Sequence, residues 1–146
     1  MIEPASLEDN IIYLIAEISR LSHKRVSSIF NKNKFDVTVE QFGVLAVLWY
    51  QEGINQQTIA NGLNRDKTTI TRIIENMTKK NLLVKVPDQL DKRNKLIYLT
   101  DKGRSLQEDM IKSTGIVYMD AIKNLSEKDI KSVTSILQKM KNNLNK

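Results

Sequence analysis

The sequence predicts a mainly α-helical fold: a winged helix-turn-helix with a two-stranded β-hairpin wing, flanked by long N- and C-terminal helices. Apolar residues recur at helical spacing in six stretches. Ser, Thr, Asn or Asp stands at the head of these stretches, where a side-chain oxygen accepts from first-turn amides. Two short extended runs around a charged loop lie between the fourth stretch and the fifth and read as a hairpin.

The first helix is expected from Leu7 to Lys32. Ser6-Leu7-Glu8-Asp9 has capping-box spacing, and apolar residues follow at Ile11, Leu14, Ile15, Ile18, Leu21, Val26, Ile29 and Phe30. Asn31-Lys32-Asn33-Lys34 breaks the pattern. The second helix opens at Thr38 with Gln41 three residues on, carries Phe42, Leu45, Leu48 and Trp49, and ends near Glu52-Gly53. The third is short, Gln56 to Leu63, capped by Asn55, with Ile59, Ala60 and Leu63 facing inward; Asn64 turns the chain. The fourth runs from about Asp66 to Lys80, with Ile70, Ile73, Ile74 and Met77 at the i, i+3, i+4, i+7 spacing of one buried stripe.

Leu83-Val84-Lys85-Val86 stops at Pro87, which suits a strand end, and Leu96-Ile97-Tyr98-Leu99 is its partner. The tip between them, Asp88 to Lys95, is long and charged. Thr100 caps a fifth helix carrying Leu106, Met110 and Ile111 and continuing to about Lys123. Ser126-Glu127-Lys128-Asp129 opens the sixth. Its apolar residues, Ile130, Val133, Leu137, Met140 and Leu144, alternate by three and four, the seam of a coiled coil. With no repeat, low-complexity tract or linker, 1–146 reads as a single domain: 1–35 and 101–146 as flanking helices, 36–100 as the winged helix-turn-helix.

Composition narrows the function. The chain has no cysteine and one histidine, His23. Disulfides, thiolate chemistry and a dedicated transition-metal site are therefore not expected. No Gly-rich phosphate loop, paired-carboxylate signature or partner for His23 suggests an enzyme or a cofactor. No apolar run approaches the ~18 residues that span a bilayer. Met1-Ile2-Glu3-Pro4 lacks the basic and apolar stretches of a signal peptide, so a cytoplasmic protein is expected.

The net charge of +6 is concentrated mid-chain: residues 65–95 hold nine Lys/Arg against four acids, whereas residues 1–37 are neutral. Opposite the buried stripe of the fourth helix lie Thr68, Arg72, Glu75 and Lys79, with Thr69, Asn76 and Thr71 on its flanks. This compact, hydrogen-bonding face suits the DNA major groove, where base edges present distinct donors and acceptors. Lys67, Thr68, Thr69, Thr71 and Arg72, in the N-terminal half, are the reading candidates. Arg65 and Lys79 flank them. In the hairpin tip Arg93 is the candidate for the minor groove, with Lys92 and Lys95 near phosphates. A winged-helix module that binds protein and does not read DNA would share this outline; strong salt dependence of DNA binding separates the two.

Several motifs resemble the MarR family of bacterial regulators: Thr69-Ile70-Thr71-Arg72-Ile73-Ile74 in the fourth helix, Lys79-Lys80-Asn81-Leu82-Leu83 after it, Asp91-Lys92-Arg93 in the wing, and Leu99-Thr100-Asp101-Lys102-Gly103. The resemblance covers nearly the whole chain. It implies a homodimer in which helices from both chain ends interlock, a palindromic double-stranded DNA operator, Arg93 in the minor groove, and repression relieved by a small aromatic, acidic or amphipathic effector. By residue type, His23, Tyr13, Tyr50, Trp49, Tyr118 and Met119 are candidate effector linings. Two departures stand out: Asn76 replaces an arginine that pairs with the wing aspartate, and Asn81 replaces a glycine. The sixth helix needs a partner, the first helix of its own chain or of another; its apolar pattern is the same in both cases, and the resemblance favours exchange between chains.

Overall fold

Among residues 6–145, which the computed structural model describes, a 3₁₀ turn (Leu7–Asp9) is followed by α1 (Ile11–Lys32), α2 (Val39–Tyr50), α3 (Gln56–Leu63), α4 (Lys67–Lys79), the hairpin strands β1 (Leu83–Pro87) and β2 (Lys95–Leu99), α5 (Asp101–Ser105), α6 (Gln107–Ala121) and α7 (Glu127–Leu144). Met1–Pro4, read above for a signal peptide, lies outside the described residues.

Local chemistry sets most of these boundaries. Thr38 and Gln41 cap one another at the head of α2, and Ser126 and Asp129 do the same for α7. Asn55 Oδ1 accepts from the Thr58 amide (2.8 Å) to start α3. Asn64 and Asn81 hold left-handed backbone, φ 50° and 59°, at the two exits where the chain reverses. Asn adopts that conformation more readily than other non-glycine residues, so Asn81 serves where the resemblance leads one to expect glycine.

Two expectations need correction. Ser6 does not cap the first helix: its hydroxyl donates to Asp9 Oδ2, and Leu7–Asp9 form a separate 3₁₀ turn. Asn10 is the cap, accepting from the Ile12 and Tyr13 amides at 3.0 and 3.1 Å. Nor is the fifth helix continuous. It breaks at Leu106 into α5 and α6, and Leu106 packs partly buried against the core.

The hairpin pairs Leu83 with Leu99 through to Pro87 with Lys95, and Ile54 adds a bridge to Ile97. Its inner residues join one core. α2 contributes Val44, Leu45 and Leu48, α3 Ile59 and Ala60, and α4 Ile70, Ile73, Ile74 and Met77; Leu82, Leu83, Ile97 and Leu99 close it from the wing side. Phe30 of α1 and Met110 of α6 reach into the same core and tie the terminal helices to it. Gly103 sits so close to the Leu82 carbonyl oxygen that a Cβ would lie 2.3 Å from it. Thr100 locks this contact, donating its hydroxyl to Asn81 O (2.6 Å) and its amide to Leu82 O (3.0 Å). The Leu-Thr-x-x-Gly motif is thus where the wing returns to the terminal helices.

The far ends of those helices are different. α7 buries none of its residues against the rest of the chain. Val133 is 50% exposed and Leu137 40%. Ile11, Ile12, Leu14, Ile15, Ile18 and Leu21 of α1 are exposed as well. No helix among the described residues is long and apolar enough to cross a membrane.

Candidate nucleic-acid interface

α3 and α4 form a helix-turn-helix around Asn64. Asp66 caps α4, accepting from the amide and hydroxyl of Thr69 at 2.8 and 2.7 Å. The Thr69 hydroxyl, and then its amide, hold the Asp66 carboxyl below the ordinary aspartate range. Its negative charge sits at the helix N-terminus, which favours it.

With Ile70, Ile73, Ile74 and Met77 buried, the opposite face of α4 is wet. Lys67, Thr68, Thr71, Arg72 and Glu75 line a shallow recess on it. Lys67 also lines a cleft against the wing, with Arg93, Asn94, Lys95 and the α3 residues Gln56 and Gln57. One residue shared by both recesses places the start of α4 and the wing on the same side of the molecule.

The wing tip is a closed loop. Asp88 N donates to Asn94 O and Asn94 N to Asp91 O, both at 2.9 Å. Asp91, which lacks the arginine that the resemblance pairs with it, accepts instead from the Arg93 amide (3.1 Å). Among the described residues Asp91 makes no ion pair.

The candidate residues fall into three groups. Arg65, Lys67, Arg72, Lys79, Lys92, Arg93 and Lys95 are all exposed, and among the described residues none of their side chains meets a carboxylate. Elsewhere cations do pair: Lys80 with Asp36, Arg25 with Asp120, Arg104 with Glu52. Thr68 is exposed and, among the described residues, its hydroxyl makes no bond. Thr69 and Thr71 are half-buried and turned to internal work: Thr69 holds the Asp66 cap, and the Thr71 hydroxyl lies 2.9 Å from Gln56 Oε1 and 2.8 Å from Lys67 O. Gln56, unnoticed in the sequence, thus buttresses α4 against α3; a glutamine at a helix start carries no local sign of that task.

A larger recess, about 480 Å³, lies between α1, α2 and α4 and is bordered by His23, Glu40, Arg65, Arg72 and Asn76. His23 faces Glu40 at 3.3 Å. Of the aromatic and sulfur residues considered as effector linings, none but His23 borders it. Trp49 packs edge-on against Phe42 and donates to Gly103 O (3.1 Å), while Tyr50 is 95% exposed. Among the described residues no group of three or more His, Asp or Glu is placed to hold a metal ion.

Residues 27–110 match the family described as transcriptional regulator SarA/Rot. Over 140 residues the chain is 23% identical to the HTH-type transcriptional regulator MgrA of Staphylococcus aureus, covering 96% of this chain and 93% of that protein. It is similar to the solved structure of the transcriptional regulator SlyA, with 25% identity, a TM-score of 0.86 and coverage of 92% of this chain and 94% of that one. It is similar also to S. aureus MepR in a DNA complex, with 28% identity, a TM-score of 0.85 and coverage of 95% and 99%.

Proposed function

Because the chain belongs to the SarA/Rot family of transcriptional regulators, we propose that it grips a palindromic operator as a homodimer. α4 of each protomer enters the major groove, and the wing's Arg93 enters the adjacent minor groove. The observation that carries this reading is the set of seven exposed, carboxylate-free cations on α4, its approach and the wing tip. An unpaired cation keeps its full attraction for phosphate, and each phosphate neutralised releases counterions. In this reading Arg72 and Thr68 address base edges. Arg65, Lys67, Lys79, Lys92 and Lys95 hold phosphates. Thr69 and Thr71 set the height and angle of α4.

The dimer reading is supported by the exposed apolar residues Val133, Ile136, Leu137 and Leu144 of α7 and the exposed N-terminal half of α1. Residues 1–35 and 101–146 are the dimerisation helices, residues 36–100 the DNA-binding unit. A two-fold axis through these arms sets the two reading helices about 34 Å apart, one turn of DNA. Occupying a promoter in this way represses it. A small acidic effector in the recess beside Arg65 and Arg72 would withdraw both from DNA.

Gel-shift titration from 50 to 200 mM salt, on duplex selected from a randomised pool, tests the reading. A regulator making about 6–10 phosphate contacts loses roughly 10³–10⁵ in affinity over that range. Arg93→Ala weakens binding and leaves the dimer intact. Arg72→Ala lowers the preference for the selected site by about 1–3 kcal/mol relative to random duplex. Salt-insensitive binding, or equal affinity for selected and random duplex in the wild type, overturns it.

A further inference from the structure

Leu90 stands at the wing tip with 97% of its surface exposed, more than any other leucine described. The backbone presents it with the same device that presents Arg93. Asp88 Oδ1 accepts from the Leu90 amide at 2.9 Å, and Asp91 Oδ1 accepts from the Arg93 amide at 3.1 Å. Two successive Asx turns, each an aspartate bonded to the amide two residues on, thus fix one apolar and one cationic side chain on a single loop. The loop is closed by the Asp88–Asn94 and Asn94–Asp91 backbone bonds. A preformed tip loses little conformational freedom when it meets a partner.

We infer that Leu90 is a DNA-contacting residue, laid against the deoxyribose walls at the edge of the minor groove that Arg93 enters. This rests on the proposed DNA-binding function. The occupant is argued from charge and continuity: Lys92, Arg93 and Lys95 share the tip, and the same wing lines the cleft with Lys67 at the start of α4. Polyanionic DNA fits such a setting, whereas an apolar partner protein would have to desolvate three cations to reach one leucine. Minor-groove proteins combine arginines with apolar side chains in the same groove. Leu90 supplies contact area to sugar and adds no charge. Its share of the affinity is therefore independent of salt, in contrast to that of Arg93.

The test is the salt dependence of binding to the selected duplex for wild type, Leu90→Ala, Leu90→Met and Arg93→Ala, with sedimentation of each free protein. Leu90→Ala is expected to weaken binding about fivefold at every salt concentration, as withdrawal of a partly buried isobutyl group should. The slope of log affinity against log salt stays at the wild-type value. Leu90→Met restores most of the loss, whereas Arg93→Ala lowers the slope by about one. Wild-type affinity for Leu90→Ala overturns the inference and leaves the DNA-binding reading standing. So does a loss matched by a change in sedimenting mass, which would make Leu90 a contact between copies. Failure of the wild type to bind the duplex sinks both.

Discussion

In α4 the apolar residues Ile70, Ile73, Ile74 and Met77 are all buried within the chain; in α7 Val133, Ile136 and Leu137 are 40–54% exposed. Both helices are amphipathic, with the same three-and-four spacing and a carboxylate or hydroxyl cap at the head. The difference is what stands opposite. α4 meets α2, α3 and β1, whose apolar faces converge on it. Among the described residues α7 has no such neighbour in its own chain. A hydrophobic stripe therefore states that a helix must be covered and leaves open by whom.

The largest effect expected from breaking this contrast is at the seam of α7. Val133→Asp combined with Leu137→Asp is expected to remove the proposed dimer and leave the winged helix folded, because neither residue belongs to its core. Sedimentation should show a monomer and circular dichroism near wild-type helicity. Operator affinity falls by about 10²–10⁴, the advantage of engaging two linked half-sites. A monomer that still binds at wild-type affinity would detach the arms from DNA reading.

Gly103→Ala is expected to act on the other side of the contrast, in the closed core. Its Cβ would fall 2.3 Å from a backbone oxygen that cannot step aside, and overpacking of this kind costs about 1–3 kcal/mol. Gly62→Ala, in α3 with nothing within 4 Å, should stabilise slightly, since alanine loses less chain freedom on folding. Urea midpoints of the two variants should move in opposite directions.

The smallest effect concerns pH. Burial disfavours ionised Glu52, but the Leu99 amide at 2.8 Å and the Arg104 guanidinium at 3.0 Å outweigh it and hold its carboxyl below the ordinary glutamate range. The unfolded chain therefore binds this proton more readily than the folded one. The stability it supplies is present above the ordinary range and is lost as pH falls through the lowered value. Thermal midpoints should drop on acidification, and Glu52→Gln should flatten that fall. Glu17, paired with Arg20 on the exposed side of α1, is the control; Glu17→Gln should change the profile little, because such surface pairs contribute little.

Comparing these regions also shows where the sequence was legible. The caps of α2, α3 and α7 use side chains within three residues of the amides they serve, so spacing alone reveals them. The cap of α1 misled for the same reason: Ser6 and Asp9 have the right spacing but bond to each other, and Asn10 takes the role. The break at Leu106 left no mark, because the residues around it suit a helix. The cationic candidates stood out because residues 65–95 hold nine Lys/Arg against only four acids. Spacing puts Thr71 on the flank of the outer face of α4 and cannot show that its hydroxyl lies against Gln56, fifteen residues back in the chain.

Taken alone, the sequence determined the order of helices and hairpin, the buried stripe of α4, and the concentration of positive charge in residues 65–95, since all three follow from chemistry repeated at short range. Tertiary structure decided which hydroxyls stay free for a partner, that α4 and the wing share a side, that Gly103 must remain glycine, and that α7 lies uncovered. Those outcomes depend on contacts between residues distant in the chain, whose distances and directions are set when the helices pack and not by the spacing of residue types.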